Sequence, residues 1–452
     1  MAKASTLKGT RDFLPAQIAR RNYLFDTIQQ VFKKYGFAAI ETPAMEHSET
    51  LLGKYGEEGD KLLFRLLNNG DFMAGVDCTQ SSASIASSIS KRALRYDLTV
   101  PFARFVAQHR NELSFPFKRY QIQPVWRADR PQKGRYQEFF QCDADVVGSD
   151  ALLHEVEFIL IFDEVLSKLG LESFTIKINN RKILAGLAEI AGHSDRIKDI
   201  AISLDKLDKV GKDKVIEEWK ERGIDEEAIK KLSVIFDMKE GRISEGLEQI
   251  LSDSEVGTLG VQELKSVIKK VEKLGLGRAK LEFDVTLARG LDYYTGAIFE
   301  VISDEVAIGS ICGGGRYDDL TGIFGFPDMP GVGISFGADR IYDVLDQLGR
   351  WPIGLEIAPQ IIFMNFGEAE ADYCMSVLKD LRNQEICSEI YPTAAKMKKQ
   401  MKYADDRGIR YVALVGSKEM EEGKLTIKDM KEGSQQSLTK EELVNLLSKN
   451  RA

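Results

Sequence analysis

Two apolar runs with a basic turn between them form the most informative pattern in the chain, at residues 117–148. The turn, at residues 130–134, contains proline and glycine. Runs of this length around turn-forming residues predict two antiparallel strands joined by a loop. Side chains two positions apart point to the same side of a strand. One face of the second strand should therefore carry Gln141, Asp143 and Asp145.

The pattern before this hairpin predicts a helix, two strands and a polar loop. Apolar side chains recur at helical spacing over residues 18–35, and a short strand is expected at residues 37–43. Residues 71–91 are small and polar, so we expect a mobile surface loop there. A further strand is predicted at residues 93–99. One of its faces would carry Asp97 and Thr99.

Beyond the hairpin the pattern becomes helical. Ser149 is placed to cap a helix that runs to Gly170, and a short strand, FTIKIN, follows it. Residues 181–278 are rich in Lys and Glu, with Leu and Ile at three-to-four spacing, which predicts an inserted helical subdomain. Strands are expected again at residues 280–286, 297–302 and 331–337.

From residue 361 onward, apolar runs and helical patterns alternate in a β-α-β-α-β order. This order predicts a small α/β domain rich in parallel strands. No glycine fingerprint follows its first strand, so the pattern gives no support for a nucleotide-binding site there. One side of this domain should be basic because of Lys396, Lys398, Lys399, Lys402, Arg407 and Arg410.

Composition places the chain among folded proteins with more than one domain. Its 452 residues exceed one ordinary domain, and 43% apolar with 29% charged residues allows sizeable cores. No apolar run approaches the roughly 20 residues of a membrane span, and the N-terminus lacks a signal-peptide core. We therefore expect a cytoplasmic protein with no membrane partner. The five cysteines are scattered without a C-x-x-C pair, which predicts neither a disulfide framework nor a zinc site.

The charge of the hairpin differs from that of the whole chain. The formal net charge of the chain is −8, yet residues 118–135 contain one acid, Asp129, among six cations. The cations are Lys118, Arg119, Arg127, Arg130, Lys133 and Arg135. A solvated hairpin would account for such a run, but Arg127 directly follows the apolar strand, where a guanidinium suits a phosphate. With carboxylates on the returning strand, the hairpin suits a zwitterionic substrate held beside a nucleotide.

Five stretches of the chain resemble the motifs of one enzyme family, in the family's order. WRADRPQKGRYQEFFQ resembles motif 2 of the class II aminoacyl-tRNA synthetases in its histidyl form. LARGLDYYTGAIFEV and CGGGRYDDL resemble two stretches peculiar to histidyl-tRNA synthetases. GVGISFGADRI is similar to class II motif 3, and LKGTRDFLP resembles the family's N-terminus. The glycines of CGGGRYDDL lack the spacing of a P-loop and indicate a close approach of backbone to ligand, with Tyr317 in the wall.

The resemblance implies a mixed α/β fold of the α+β kind. An antiparallel-sheet class II catalytic domain would comprise residues 1–180 and 279–350, interrupted by the helical insertion at residues 181–278. In the family this insertion reaches toward the acceptor arm of tRNA, although a purely structural insertion fits the pattern equally well. Residues 358–452 would form the anticodon-binding domain. The helix–strand–proline pattern ending at Pro43 matches the family's dimer motif and implies a homodimer.

The activity implied is that of a histidine–tRNA ligase. Histidine and ATP would form histidyl-adenylate and pyrophosphate, and the 3′ hydroxyl of histidine tRNA would then take the histidyl group. Mg²⁺ is expected to arrive with ATP, since the sequence offers no dedicated metal cage.

Roles for single residues come from the resemblance, position by position. The catalytic arginines would be Arg127 and Arg289. ATP would be bound by Arg127, Asp129, Arg135 and Arg340. The histidine ammonium would be bound by Asp97, Thr99 and Gln141, and the imidazole by Asp145 and Tyr294, with Arg289, Tyr293 and Tyr317 completing the pocket. The acceptor end of tRNA would meet Arg130 and Gln132. The family usually has glutamate where Asp145 stands.

Two other functions compete with this hypothesis. One is a catalytically inactive, histidine-binding regulator of histidine biosynthesis, a paralogue that usually lacks the C-terminal domain and the catalytic arginine. The other is an RNA-binding accessory module, which would not need Asp97, Thr99, Gln141 and Tyr294 together. The chain has Arg289 and a C-terminal domain, both of which favour the ligase.

Overall fold

The computed structural model describes residues 4–54, 59–132, 134–204, 206–237, 243, 245–288, 294–355 and 358–449. The chain divides into two compact units, Met1–Ile353 and Gly354–Ala452. Within the described ranges, no helix is both long and apolar enough to cross a membrane.

The described part of the first unit is built on an eight-stranded sheet. Its inner neighbours are antiparallel, and the pair at each edge is parallel. In spatial order the strands are β1 (Ala38–Ala39), β5 (Phe117–Trp126), β6 (Glu138–Val147), β11 (Gly331–Gly337), β10 (Ser310–Tyr317), β9 (Ala297–Ser303), β7 (Phe174–Asn180) and β8 (Ala279–Phe283). A smaller antiparallel sheet contains β2 (Met45–His47), β4 (Arg92–Leu94) and β3 (Arg65–Leu66).

The helices of the first unit fall into three groups along the chain. Those before the hairpin are α1 (Pro15–Lys34), α2 (Ser48–Leu51), α3 (Ser82–Ile89) and α4 (Thr99–His109). Those between the hairpin and β8 are α5 (Leu153–Lys168), α6 (Arg181–Ile190), α7 (Ile197–Leu204), α8 (Leu207–Val210), α9 (Lys212–Glu221), α10 (Glu226–Leu232), α11 (Glu245–Leu251) and α12 (Glu255–Leu274). Helix α13 (Ala338–Leu348) follows β11, and 3₁₀ turns occur at Ser194–Arg196, Ser233–Asp237 and Leu320–Phe324.

An aromatic core lies between the large sheet and helices α1 and α5. The Phe336 ring of β11 has its centroid 5.8 Å from that of Phe32 in α1 and 5.3 Å from that of Phe162 in α5. Strand β6 contributes Cys142, Ala144 and Val146 to this core. Because side chains alternate along a strand, the intervening polar residues of β6 face away from it.

Close helix packing in the insertion depends on two glycines. A Cβ added to Gly186 of α6 would lie 2.5 Å from the Cα of Gly257 in α12. A Cβ added to Gly257 would lie 2.7 Å from Leu251 Cδ2. Real Cβ atoms do not tolerate such distances, so these helices approach at a spacing that only glycine permits.

The second unit is a five-stranded sheet with helices, as far as the described residues extend. Its strands, in spatial order, are β13 (Ser388–Ile390), β12 (Ile361–Phe363), β14 (Tyr411–Leu414), β15 (Leu425–Asp429) and β16 (Gln435–Leu438). Its helices are α14 (Glu368–Asn383), α15 (Met397–Asp406), α16 (Ser417–Glu422) and α17 (Lys440–Lys449). The predicted order of elements is confirmed. Parallel pairing is confined to β13–β12 and β12–β14, because β15 and β16 pair antiparallel.

The predicted hairpin is also confirmed, with β5 and β6 paired over their whole length. Four details of the sequence analysis are wrong. The strand predicted at residues 93–99 ends at Leu94, and Thr99 opens helix α4. The strand predicted at 37–43 is reduced to β1, and the helix that Ser149 was expected to cap begins only at Leu153.

The fourth error concerns residues 71–91, where a loop was expected. The segment contains helix α3, whose N-terminus is capped by the Ser81 hydroxyl accepting a hydrogen bond from the Ser84 amide at 3.3 Å. No residue of α3 is buried. Small residues that bury little surface still form a helix here because a serine cap satisfies one of its free amides.

Substituting Gly257 by alanine should test the close packing of α6 and α12. The added methyl group must displace Leu251 or the α6 backbone, so we expect a loss of about 1–3 kcal/mol in the free energy of unfolding. Urea unfolding followed by circular dichroism measures it. Gln262→Ala, at an exposed position of the same helix, is the matched control and should change stability by less than about 0.5 kcal/mol. Equal effects of the two substitutions would contradict the packing argument.

Candidate active site

A cavity of about 780 Å³ opens on the first unit. The hairpin loop, β6, β10, β11 and the start of α13 line it. Most of the residues predicted from the sequence meet there, namely Asp97, Thr99, Arg127, Asp129, Arg135, Gln141, Asp145, Tyr294, Tyr317 and Arg340.

The floor of the cavity is the polar face of β6. Asp143 and Asp145 are 2% and 3% exposed, and Gln141 is partly buried beside them. All three line the cavity, as the alternation along the strand predicts.

Asp145 is held from two sides. The Nη2 atom of Arg119 lies 2.7 Å from Asp145 Oδ2, and the Tyr317 hydroxyl donates a hydrogen bond of 2.7 Å to Asp145 Oδ1. Arg119 is fully buried, and its guanidinium lies 4.2 Å from the centre of the Phe102 ring. Burial raises the pKa of Asp145, while Arg119 and the Tyr317 hydroxyl act in the opposite direction.

Asp143 has a different environment. Burial raises its pKa to about 7, against the opposing influence of Arg119. Within the described residues its Oδ1 atom has no hydrogen-bond partner, and the same is true of Gln141 Oε1. Gln141 donates through Nε2 to the Ser335 hydroxyl at 3.1 Å. Two buried oxygen atoms, on residues that line the cavity, therefore have no donor among the described residues.

Glycines allow the walls to approach this floor. A Cβ added to Gly333 of β11 would lie 1.9 Å from Asp145 Oδ1, and one added to Gly314 of β10 would lie 2.2 Å from the Gly333 carbonyl oxygen. A Cβ on Gly315 would lie 2.8 Å from Tyr294 Cδ1. The glycines of CGGGRYDDL therefore permit close contact between strands and with Tyr294.

Arg127 lies against aromatic rings at the end of β5. Its Nε donates to the Tyr96 carbonyl oxygen at 3.0 Å, and its guanidinium is 4.2 Å from the Tyr96 ring centre and 5.3 Å from that of Phe139. Carbonyl and rings fix the plane of the guanidinium, which suits a planar fork for an oxyanion.

The other predicted cations lie around the hairpin loop. Arg340, in the first turn of α13, donates through Nε to the Gly134 carbonyl oxygen at 2.9 Å and through Nη1 to that of Ser310 at 2.6 Å. Arg135 is half exposed, with Nη1 3.8 Å from Asp129 Oδ1. Within the described residues, no group of three or more His, Cys, Asp or Glu side chains is placed to hold a metal ion.

Asp97 and Thr99 reach the cavity although the strand predicted for them does not form. Asp97 is 7% exposed and precedes α4, where its Oδ1 accepts a hydrogen bond from the Val100 amide at 3.2 Å. The start of helix α4, rather than the predicted strand, therefore brings Asp97 and Thr99 to the cavity.

Four predicted residues are not among the described residues that line the cavity. Arg130 and Gln132 are exposed at the hairpin tip, where Gln132 forms a β-bridge with Arg135. Arg289 and Tyr293 lie outside the described residues.

The count of cations in the hairpin overstated the charge available to a polyanion. Arg119 is buried against Asp145, and Lys118 forms an ion pair of 2.9 Å with Glu157. Both belong to strand β5 rather than to the loop. The alternation of side chains along β5 does not by itself show that Arg119 lies opposite Asp145. That pairing depends also on the partner strand and its register.

Asp339 is a further residue that the sequence analysis missed. It is 3% exposed and accepts hydrogen bonds from Arg21 Nη1 at 2.6 Å, from Arg11, and from the Phe140 amide at 2.9 Å. The guanidinium of Arg11 also lies 3.3 Å from the centre of the Tyr136 ring. The N-terminal segment is thereby tied to the hairpin and to α13. The two arginines lie more than 300 residues from Asp339 in sequence and Phe140 lies 199 residues away, which leaves no local signal.

Comparison with known proteins agrees with this geometry. The family model for histidyl-tRNA synthetase matches residues 9–93 and 87–341, and the model for the anticodon binding domain matches residues 360–450. A histidine–tRNA ligase of Christiangramia forsetii is 57% identical over 96% of this chain and 97% of its own length. One from Bacteroides fragilis is 55% identical over 99% of this chain and 100% of its own. The crystal structure of a histidyl-tRNA synthetase from a Nostoc species is 32% identical, covers both chains completely and superposes with a TM-score of 0.81.

These matches extend over nearly the whole chain and include both units. Four of the five motifs that suggested the family lie wholly inside the matched residues, and the fifth, LKGTRDFLP, begins two residues before them. The chain belongs to the histidyl-tRNA synthetase family.

Proposed function

We propose that this protein is a histidine–tRNA ligase that forms histidyl-adenylate from histidine and ATP and transfers the histidyl group to the 3′ end of histidine tRNA. The observation that carries the proposal is the composition of a single cavity. Buried acceptors occupy its floor, and arginines from the hairpin loop and α13 also line it. A zwitterionic amino acid and a polyphosphate can therefore meet in one space.

The first chemical step places negative charge around the α-phosphorus as pyrophosphate leaves. Fixed cations stabilise that charge best when they are already oriented. Arg127 is assigned to the α-phosphate and the histidine carboxylate, Arg340 to the γ-phosphate and Arg135 to the triphosphate. Arg289 is assigned by position to the other side of the α-phosphate.

Mg²⁺ is assigned to the phosphates of ATP. One part-buried carboxylate, Asp129, lies among the arginines of the loop, and that donor set fits an ion carried by the nucleotide rather than caged by protein. The ion would neutralise charge on the departing pyrophosphate. Asp129 would hold it or keep Arg135 in place.

Selection of histidine is assigned to the floor. Asp145 and Tyr294 would hydrogen-bond the imidazole nitrogens, with Tyr317 and Tyr293 in the wall. Asp97, Thr99 and Gln141 would bind the ammonium group. Asp145 has a shorter side chain than the glutamate that the family usually has at this position. Its contacts with Arg119 and Tyr317 hold the carboxylate in one position.

The remaining surfaces are assigned to tRNA and to a second subunit. Arg130 and Gln132 at the exposed hairpin tip would contact the acceptor end of the tRNA. The insertion at residues 181–278 would contact the acceptor arm, and residues 358–452 would bind the anticodon. The catalytic domain would be residues 1–180 and 279–350. Leu14 and Ile18 of the N-terminal region are 71% and 41% exposed, which supports a homodimer through the motif ending at Pro43. We place the reaction in the cytoplasm, where tRNA is used.

Exchange of pyrophosphate into ATP tests the first step. The wild-type protein should show exchange with histidine and with no other amino acid. Arg127→Lys keeps the charge but loses the planar fork, so we expect kcat for exchange to fall by about a hundredfold. Arg110→Lys, at an exposed position, is the matched control and should behave as wild type.

Two results would contradict this assignment. Exchange that survives in Arg127→Lys at the wild-type rate would remove Arg127 from the reacting centre. Histidine binding without exchange under any condition would identify a histidine-binding regulator instead of a ligase.

Removal of the buried cation tests the imidazole subsite. In Arg119→Met the pKa of Asp145 should rise further, because a group that lowers it is lost. The carboxyl would then ionise only at higher pH, so KM for histidine should rise about tenfold or more at pH 7 and recover as the pH is raised. KM for ATP should not change.

The matched control for this variant is Lys118→Met, the preceding residue on β5, which pairs with Glu157 outside the cavity. It should leave both KM values unchanged. Equal increases in both KM values for Arg119→Met would indicate general distortion and contradict a role confined to histidine.

A further inference from the structure

We propose that Asp143 binds the ammonium group of the substrate, as an additional specificity residue beside Asp97, Thr99 and Gln141. This inference rests on the proposed function, and it concerns a residue to which the family resemblance assigned no role. It means that two carboxylates, Asp97 and Asp143, bind the ammonium group rather than Asp97 alone.

The position of Asp143 is the first argument. It lies on the cavity face of β6, midway between Gln141 and Asp145. Residues two apart on a strand are separated by about 6.6 Å, which is close to the span between the ammonium and the imidazole of histidine. Gln141 and Asp145, four residues apart, are about 13 Å apart along the strand, so a histidine whose imidazole meets Asp145 brings its ammonium beside Asp143.

Unpartnered acceptors are the second argument. Asp143 is 2% exposed and its Oδ1 atom has no hydrogen-bond partner in the described residues, and Gln141 Oε1 beside it has none either. Buried polar atoms are almost always paired, and each unpaired one costs free energy. An ammonium group has three donors and no acceptor, so it matches two free acceptors better than a hydroxyl or an amide does.

Charge is the third argument. The groups that act on Asp143 are Arg119 of β5, Asp145 of the same strand, the Ser335 hydroxyl of β11 and Asp97 before α4. Arg119, the only cation among them, makes its 2.7 Å contact with Asp145. At Asp143 the charges of Asp97 and Asp145 thus oppose the influence of one guanidinium, and this excess of acid favours a substrate that carries a positive charge into the floor.

The test is direct binding, measured by titration calorimetry, which does not depend on catalysis. Asp143→Asn keeps the shape of the side chain and removes its charge. Three ligands separate the groups of the substrate: histidine, histidinol, which keeps the ammonium and lacks the carboxylate, and 3-(imidazol-4-yl)propionate, which keeps the carboxylate and lacks the ammonium. Asp150→Asn removes a carboxylate at an exposed position and is the matched control.

The expected result is a selective loss. In Asp143→Asn the dissociation constants of histidine and histidinol should rise by about tenfold to a hundredfold, as for a lost charge-assisted hydrogen bond. That of 3-(imidazol-4-yl)propionate should change less than about twofold. Asp150→Asn should bind all three ligands as wild type does.

Other outcomes would overturn the inference. Equal weakening of all three ligands would show that Asp143 only maintains the shape of the floor, and unchanged binding of histidine and histidinol would show that it does not meet the ammonium. If the wild-type protein binds none of the ligands, the proposed function itself fails. If it binds histidine but catalyses no exchange, only the ligase assignment fails and the result for Asp143 still stands.

Discussion

The buried ion pair between Arg119 and Asp145 is the interaction on which the floor of the cavity depends. A fully buried guanidinium is costly unless a carboxylate lies beside it, and removing one partner leaves the other charge buried and uncompensated. Strand register brings the two together, because Arg119 is directly opposite Asp145 in the β5–β6 pair. A shift of one residue would turn the polar face of β6 into the aromatic core, so the pair and the register of the hairpin depend on each other.

The same row of the sheet continues beyond Asp145. Gly333 of β11 lies opposite Asp145, and Gly315 of β10 lies opposite Gly333. The Asp145 carboxylate lies over β11 at Gly333, which has no side chain. Tyr294 lies in the same way over β10 at Gly315. A cation, an acid and two glycines in one cross-strand row therefore define where Asp145 lies. The position of Asp145 is therefore fixed by neighbours on both sides.

The sequence predicted the elements with strong local patterns. The hairpin, the alternation of Gln141, Asp143 and Asp145, helix α1 and the order of elements in the second unit all follow from periodicity. The failures lie where local pattern and tertiary context disagree. Residues 93–99 alternate like a strand, yet Thr99 begins a helix whose side chains Phe102 and Val106 are buried in a separate cluster. Arg119 counts among the cations of the hairpin in the sequence, and only its position in the sheet reveals that it is buried. Asp339 becomes recognisable only with its distant partners.

The hairpin divides two tasks along its length, and the division follows solvent exposure. Near the loop, Arg135 is half exposed and can meet a hydrated nucleotide without a large cost of desolvation. Deeper along β6, Asp143 and Asp145 are almost wholly buried, where an unpaired or wrongly charged group is most costly. Selectivity for a small amino acid requires such a setting, because an analogue that lacks one donor then leaves a buried acceptor empty. Affinity for phosphates does not require it. In the proposed function, a single pair of strands would therefore bind ATP at its open end and discriminate among amino acids at its buried end.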